Sequence, residues 1–323
     1  MEYFQNKTVV ITGAAGFIGS HLCDRILSLG ATVIGVDNFL TGRQENITEL
    51  EKYPDFQLIN ADVTRPTTEY LDVVPDLILH FASPASPPRY QSFPVETYQV
   101  NSLATHQLLQ FLKANNPNAR FLFASTSEVY GDPLEHPQRE TYWGNVNPNG
   151  IRSCYDEAKR LGETICGVHQ RDFKMDVRIV RIFNTYGPKM DPKDGRVIPS
   201  FITDSLAGNS VKVFGDGTQT RSYCYISDLV DAITTYASKG DLSGSTINLG
   251  NTEERTVLET AQIIHSLIVG EGEPKMEFSG LPLDDPLRRK PDISLAKQLL
   301  GWEPKISFKD GLMKTIEYYK NQS

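Results

Sequence analysis

Apolar positions follow two rhythms through the first 180 residues. Short runs rich in β-branched and aromatic residues recur at 7–12, 32–36, 56–59, 77–81, 120–124 and 177–181. Runs of this length without polar alternation suit strands buried on both faces. Between them the spacing turns helical. Ile18, Leu22, Ile26 and Leu29 lie on one helical face, and Gly30 ends it. The spacing also predicts helices over 95–114 and from the Tyr155 region to about Gln170. Strand, glycine turn, helix and strand fit the length of a βαβ unit. Repeated, the unit predicts an α/β fold with a Rossmann-type, doubly wound parallel sheet.

The texture changes after Asn184, where glycine and proline become frequent. Residues 246–249 read as a strand that returns to the sheet, and 291–300 and 308–319 as helices. The expected organisation is a dinucleotide-binding domain over 1–183, with a returning segment at about 226–250. A smaller C-terminal substrate-binding lobe is expected over 184–225 and 251–323.

Composition narrows the partners. The chain has 323 residues and a net charge of −8. An acidic surface gains nothing from phosphate-backbone attraction, so nucleic acid is not an expected partner. Local arginines can still hold an anionic nucleotide. Cys23, Cys154, Cys166 and Cys224 lie far apart with no Cys-x-x-Cys pair, so no metal site is expected and reduced thiols are. The N-terminus lacks a basic-then-apolar leader, and no run approaches the ~20 residues needed to span a bilayer. A cytoplasmic protein without membrane attachment is expected.

Two motifs carry chemistry. Gly13, Gly16 and Gly19 follow the first strand and open the first helix, the arrangement that brings backbone N–H groups to a pyrophosphate. Phe17 and Ile18 lie inside the motif. Asp37 closes the second strand 24 residues after Gly13, where a carboxylate binds ribose hydroxyls and repels a 2′-phosphate. Asn38 follows it rather than a base, so NAD is the expected cofactor; Arg43 is the nearest group that would favour NADP. Asp62 and Val63 suit an adenine contact, and Ala82 and Ser83 the floor of the nicotinamide half. The second motif is Tyr155 with Lys159, one helical turn apart and on one face. A neighbouring ammonium favours the phenolate, which then takes a proton from a sugar hydroxyl as hydride leaves.

Several segments resemble the extended short-chain dehydrogenase/reductase family of nucleotide-sugar enzymes, over nearly the whole chain. Within it the likeness is to the branch that decarboxylates UDP-glucuronate to UDP-xylose. The segments are Asp37-Asn38-Phe39-Leu40-Thr41-Gly42, Ser83-Pro84-Ala85-Ser86-Pro87-Pro88, Ser125-Thr126-Ser127-Glu128-Val129-Tyr130-Gly131, Trp143-Gly144-Asn145-Val146-Asn147-Pro148, Arg152-Ser153-Cys154-Tyr155-Asp156-Glu157, Arg181-Ile182-Phe183-Asn184, Asp194-Gly195-Arg196-Val197 and Arg289-Lys290-Pro291-Asp292. Two departures lie near the expected sugar pocket. Gln99 stands where that branch often has lysine, and Pro148-Asn149-Gly150-Ile151 where it often has Pro-Ile-Gly-Pro.

The resemblance assigns further roles. Phe39, Thr41 and Gly42 join the NAD site. Thr126 meets the sugar C4 oxygen beside Tyr155, and Ser127 and Glu128 face C5 and the carboxylate. Related 4,6-dehydratases carry Asp-Glu at this dipeptide, so Ser127 argues against removal of water. Arg289 is expected at the substrate carboxylate, with Arg288 the fallback. Asn184, Arg196, Val197, Gln219, Arg221 and Tyr225 are expected around the nucleotide, Arg221 at the diphosphate. The implied reaction is C4 oxidation, loss of CO2 from the resulting UDP-4-keto species and C4 re-reduction by a homodimer. Three alternatives stay open: a UDP-glucuronate 4-epimerase, a variant that releases the UDP-4-keto-pentose, and a catalytically dead NAD-sensing regulator.

Overall fold

Apolar runs with no polar face need cover on both sides, and the fold supplies it. The computed structural model describes residues 2–322. Its order begins β1 (Thr8–Thr12), α1 (Phe17–Leu27), β2 (Thr32–Asp37), β3 (Phe56–Asn60), β4 (Leu77–His80), α2 (Pro87–Ser92) and α3 (Pro94–Gln99). It continues with α4 (Thr105–Asn115), β5 (Arg120–Thr126), α5 (Ser153–Phe173), β6 (Asp176–Ile182), β7 (Thr185–Tyr186), α6 (Val197–Leu206), β8 (Val211–Phe214) and β9 (Thr220–Ser222). The last elements are β10 (Cys224–Tyr225), α7 (Ile226–Ser238), β11 (Thr246–Leu249), β12 (Glu254–Thr256), α8 (Val257–Ile268), β13 (Met276–Ser279), β14 (Arg288–Arg289), α9 (Ser294–Leu300) and α10 (Phe308–Lys320).

Seven strands form one sheet in the order β11-β6-β5-β4-β1-β2-β3, every neighbouring pair parallel. Alternate residues of each strand serve opposite faces. Val9, Ile11, Leu77 and Leu79 pack with Leu22 and Ile26 of α1 and Leu229 and Ile233 of α7. Val10, Ile78, Phe121 and Phe123 pack with Leu108, Leu109 and Leu112 of α4 and Cys166 of α5. Burying a side chain of this kind is worth roughly 1.5–3 kcal/mol.

Chain direction across the sheet reverses between β1 and β4. The crevice beyond the carboxyl ends of these strands is where open α/β sheets take ligands. The Gly13 turn leaves β1 there, and Phe81, Ala82 and Ser83 leave β4. Buried His80 ties the two ends together. Its Nδ1 accepts from the Thr12 hydroxyl at 2.7 Å, and its Nε2–H donates to the Val100 carbonyl at 3.0 Å. Thr12 Oγ1 in turn accepts from the N–H groups of Phe81 and Ala82, each at 3.2 Å.

The remaining strands form small sheets beside this crevice. β7 pairs with β10, β8 with β13, and β9 lies between β12 and β14. Their side chains share one apolar core with the main sheet, since Tyr186 of β7, Val211 and Val213 of β8 and Cys224 of β10 join the cluster that contains Val9 and Ile11.

Some element limits differ from the periodicity. α1 stops at Leu27, and Gly30 turns the chain at φ +83°. The expected helix over 95–114 is α3, a π-helical turn at Val100–Ala104 and α4. α9 begins at Ser294, three residues late, because Pro291 bridges to Gln138 and the Asp292 carboxylate accepts from the Ser294 N–H at 2.8 Å.

Candidate functional site

Two adjoining cavities occupy the crevice. The larger, of about 550 Å³, runs from the glycine turn to the small sheets. The smaller, of about 90 Å³, is lined by Asp37, Asn38, Thr41, Gly42, Asp62, Val63, Ala82, Ser83 and Gln99. Gly13 and Gly16 border both.

The glycine turn is built for close approach. Gly13 has φ +75°, and a Cβ there would lie 2.8 Å from the Ala82 nitrogen. At Gly19 a Cβ would lie 1.9 Å from the Gly13 carbonyl oxygen, so α1 packs against the turn only without a side chain. No side chain caps α1, which leaves first-turn N–H groups at a cavity wall formed by Gly16, Phe17, Ile18 and Gly19. Asp37 is buried and accepts from the Ala15 N–H at 2.9 Å and the Phe39 N–H at 2.8 Å. Burial pushes its carboxyl up, and these two donors pull it back. Two oxygens carrying one donor each retain lone pairs for ribose hydroxyls. The cradle, the open helix start and this carboxylate fit a dinucleotide.

α5 carries Tyr155 and Lys159 to the floor of the larger cavity, where Thr126 ends β5. The Tyr155 hydroxyl lies beside Thr126, which favours its ionised form, and its ring stacks on Tyr90 at 5.0 Å and 6°. Lys159 donates from Nζ to the Ala124 carbonyl at 2.6 Å. Burial lowers its pKa to about 7. The expectation that Lys159 depresses the phenol is not the balance seen here. Burial dominates and raises the Tyr155 pKa, against the neighbouring Thr126, while the lysine engages a backbone carbonyl instead.

Beyond Tyr155 lies a cluster of charge. Glu128 Oε1 meets Arg289 Nη1 at 2.7 Å; Oε2 accepts from Arg289 Nη2 at 2.8 Å and from Arg152 Nη2 at 2.6 Å. Burial pushes the Glu128 carboxyl up, but Arg289 and then Arg152 outweigh it and hold the group well below the usual carboxylate range. Asp285 joins Arg152 at 3.3 Å to Arg221 at 2.9 Å. Asp156 lies 3.8 Å from Arg152; burial and then the Glu128 charge push its carboxyl well above its ordinary range. Around the larger cavity eight lysines and arginines face four acids, so an acidic protein presents a basic pocket.

The cavities thus gather Gly13, Gly16, Phe17, Ile18, Gly19, Ser83, Thr126, Ser127, Glu128, Tyr155, Lys159, Asn184, Arg196, Val197, Arg221 and Arg289 in the larger space, and the remaining dinucleotide candidates except Phe39 in the smaller. Phe39 lines neither; it contributes its N–H to Asp37 from a left-handed φ of +58°. Arg196 pairs with Asp194. Gln219 and Tyr225 do not reach a cavity wall. Gln219 turns back to donate to the Phe214 carbonyl at 2.7 Å, and Tyr225 packs against Tyr186 at 5.6 Å. Arg288 points to solvent and Arg289 inward. Sequence reasoning passed over Arg152, Asp285 and Tyr90. Arg152 did leave a signal: an arginine at the N-terminus of α5 opposes the helix dipole and needs a local anion to hold it.

Comparison with known proteins agrees with this geometry. Residues 9–250 match the model of the NAD dependent epimerase/dehydratase family. UDP-glucuronic acid decarboxylase 1 of Danio rerio is 47% identical over 98% of this chain and 73% of its own length. UDP-glucuronic acid decarboxylase 6 of Arabidopsis thaliana is 48% identical over 96% of this chain and 88% of its own. Among solved structures, UDP-glucuronic acid 4-epimerase from Bacillus cereus with UDP-glucuronic acid and NAD superposes with a TM-score of 0.86 at 28% identity, covering 98% of this chain and 100% of that one. The dTDP-glucose 4,6-dehydratase DesIV from Streptomyces venezuelae with NAD and TYD bound gives 0.86 at 27% identity, covering 97% of each chain. Glycine cradle, sheet order, Tyr155–Lys159 pair and family match agree: the chain belongs to the NAD dependent epimerase/dehydratase family.

Proposed function

We propose that the chain is an NAD-dependent carboxy-lyase that converts UDP-glucuronate to UDP-xylose through a UDP-4-keto intermediate. One observation carries the reading. A single cavity joins the Thr126–Tyr155–Lys159 group to a Glu128 carboxylate held between two buried arginines. The first group handles a hydroxyl proton and the second receives a carboxylate. Relatives that match 96–98% of this chain at 47–48% identity bear the name UDP-glucuronic acid decarboxylase.

Gly13, Gly16, Gly19 and Asp37 would hold the dinucleotide, with Asp62, Val63, Ala82 and Ser83 along its length. Bound there, NAD supplies a reversible hydride acceptor at C4. Tyr155 would take the C4 hydroxyl proton as phenolate; burial keeps it protonated in the ligand-free pocket, so Lys159 must turn from the Ala124 carbonyl to offset the charge. A ketone at C4 is β to the C6 carboxylate, so loss of CO2 leaves an enolate whose oxygen faces Thr126 and Tyr155. C5 then needs a proton. Glu128, held ionised by Arg289 and Arg152, is a poor donor in the ligand-free state, which leaves Ser127 or a water as the carrier. Ionised Glu128 and Ser127 together also lack the acid that removal of water requires. Arg289 would bind the substrate carboxylate, and Arg221, Asn184, Arg196 and Val197 the nucleotide.

The proposal extends to the assembly and its setting. α3, the π-helical turn after it and α5 leave Tyr98, Leu103 and Leu161 more than 40% exposed, which supports a homodimer through these helices. Four unpaired cysteines suit a reducing compartment such as the cytoplasm. No described helix is long and apolar enough to cross a membrane.

Purified protein with NAD and UDP-glucuronate tests the reading. CO2 release, a product lighter by about 44 mass units and a UDP-xylose NMR spectrum are expected. Unchanged mass with inverted C4 would make the chain an epimerase, and free NADH with a keto product a 4-keto-pentose producer. NAD binding without turnover would leave a sensor.

A further inference from the structure

The scheme above gives Arg152 only the part of holding Glu128 ionised, yet it is among the most enclosed charges of the site. Its side chain is 4% exposed, and it meets Glu128 at 2.6 Å, Asp285 at 3.3 Å and Asp156 at 3.8 Å. Its guanidinium lies 5.8 Å from the Tyr90 ring centroid, and that ring stacks on Tyr155. Three buried polar atoms in this group make no hydrogen bond: Arg152 Nε, Asp156 Oδ1 and the Tyr90 hydroxyl. A buried network with unmet donors and acceptors is poised to rearrange rather than settled.

The charge count shows what such a rearrangement would serve. Glu128 spans two guanidiniums, with both oxygens on Arg289 and one shared with Arg152, while Asp285 is shared between Arg152 at 3.3 Å and Arg221 at 2.9 Å. Arg289 is therefore already occupied by the protein's own carboxylate. A substrate carboxylate that comes to Arg289 must displace Glu128 and then lie beside it, two like charges in a buried pocket. Asp156 does not compete for Arg152 as a full anion, because burial and the Glu128 charge favour its protonated form.

We infer that Arg152 is a specificity-determining residue: it retains Glu128 when a substrate carboxylate takes Arg289, so two carboxylates are admitted side by side, each on its own guanidinium. A neutral hexose brings no anion and leaves Glu128 bridging both. Arg152 thus sets the preference for a uronate over a neutral sugar. The inference rests on UDP-glucuronate being the substrate.

The test measures calorimetric affinities of the NAD-loaded protein for UDP-glucuronate and UDP-glucose in wild type, Arg152→Gln, Glu128→Gln and the double variant. Arg152→Gln should lose tenfold or more in affinity for UDP-glucuronate, roughly the effect of truncating one partner of a buried charge pair, while UDP-glucose affinity holds within about threefold. Glu128→Gln alone should bind UDP-glucuronate at least as tightly as wild type, and added to Arg152→Gln it should restore most of the loss. Equal weakening toward both sugars, no restoration, or weaker uronate binding by Glu128→Gln would each overturn the inference. Should Arg152→Gln fail to fold, the Glu128→Gln affinity still decides. CO2 release by wild type is read separately, so failure of the decarboxylase reading is distinguishable from failure of this assignment.

Discussion

Tyr155 is nearly enclosed, and its ordinary acidity is suppressed by burial rather than enhanced by its lysine. Proton transfer there depends on the neighbouring Thr126 and on what a bound dinucleotide brings to Lys159. Tyr155→Phe keeps the stack on Tyr90 and removes only the hydroxyl. CO2 release should fall by roughly 10²–10⁴-fold, the usual worth of a general acid–base group, with NAD affinity unchanged. A variant that turns over at the wild-type rate would assign the proton to another group. Arg289 makes a complementary case. Arg289→Ala strands Glu128 on Arg152 alone and removes the expected carboxylate ligand. UDP-glucuronate affinity and turnover should both collapse, while NAD affinity stays, because the Arg289 side chain pairs with Glu128 and Asn184 and with none of the dinucleotide candidates. Calorimetry with each ligand separates the two effects, and a matching loss of NAD binding would point to general damage.

At the scale of elements, legibility followed locality. The strands, the glycine turn and the Tyr155–Lys159 pair depend on spacings of a few residues, and period 2 or 3.6 reveals them. The cluster around Glu128 is different. Its partners lie 24 residues away at Arg152 and 161 away at Arg289, so only the fold brings them together. Gln219 and Tyr225 failed to reach the cavity for a related reason. Gln219 immediately precedes β9 and Tyr225 ends β10, where a one-residue change of register reverses a side chain between site and core. The glycine turn yields a sharp prediction. Gly19→Ala places a methyl 1.9 Å from a backbone oxygen that has no rotamer to relax. α1 must shift off the turn, costing about 1–3 kcal/mol as an overpacked contact does, and the N–H groups move away from the pyrophosphate position. Thermal melts with and without NAD should show a lower melting temperature and loss of the NAD-induced rise. An unchanged rise would mean that the helix start does not bind the cofactor.

Buried polar contacts hold the molecule together as well as apolar ones, and His80 at the switch point of the main sheet carries a clear pH signature. It links β1, β4 and the π-helical turn, and so fixes the loop that carries Ala82 and Ser83. Burial first, and then the Lys159 charge, lower its pKa from 6.5 to about 3. The folded state thus binds fewer protons at this site than the unfolded chain. Its contribution to stability is fully present above about pH 6.5 and is lost progressively as pH falls toward 3. At 1.36 kcal/mol per pH unit, the loss between pH 6.5 and about pH 5 is ~2 kcal/mol. Other titrating groups act over the same range, so the informative quantity is a difference. His80→Gln cannot take up the proton but keeps an amide donor for the Val100 carbonyl. Urea unfolding of both proteins at the two pH values should show wild type losing about 2 kcal/mol more than the variant on acidification. Equal losses would mean that His80 is charged in the folded protein, and that the hydrogen bond from Thr12 to its ring nitrogen does not hold the cofactor floor in place.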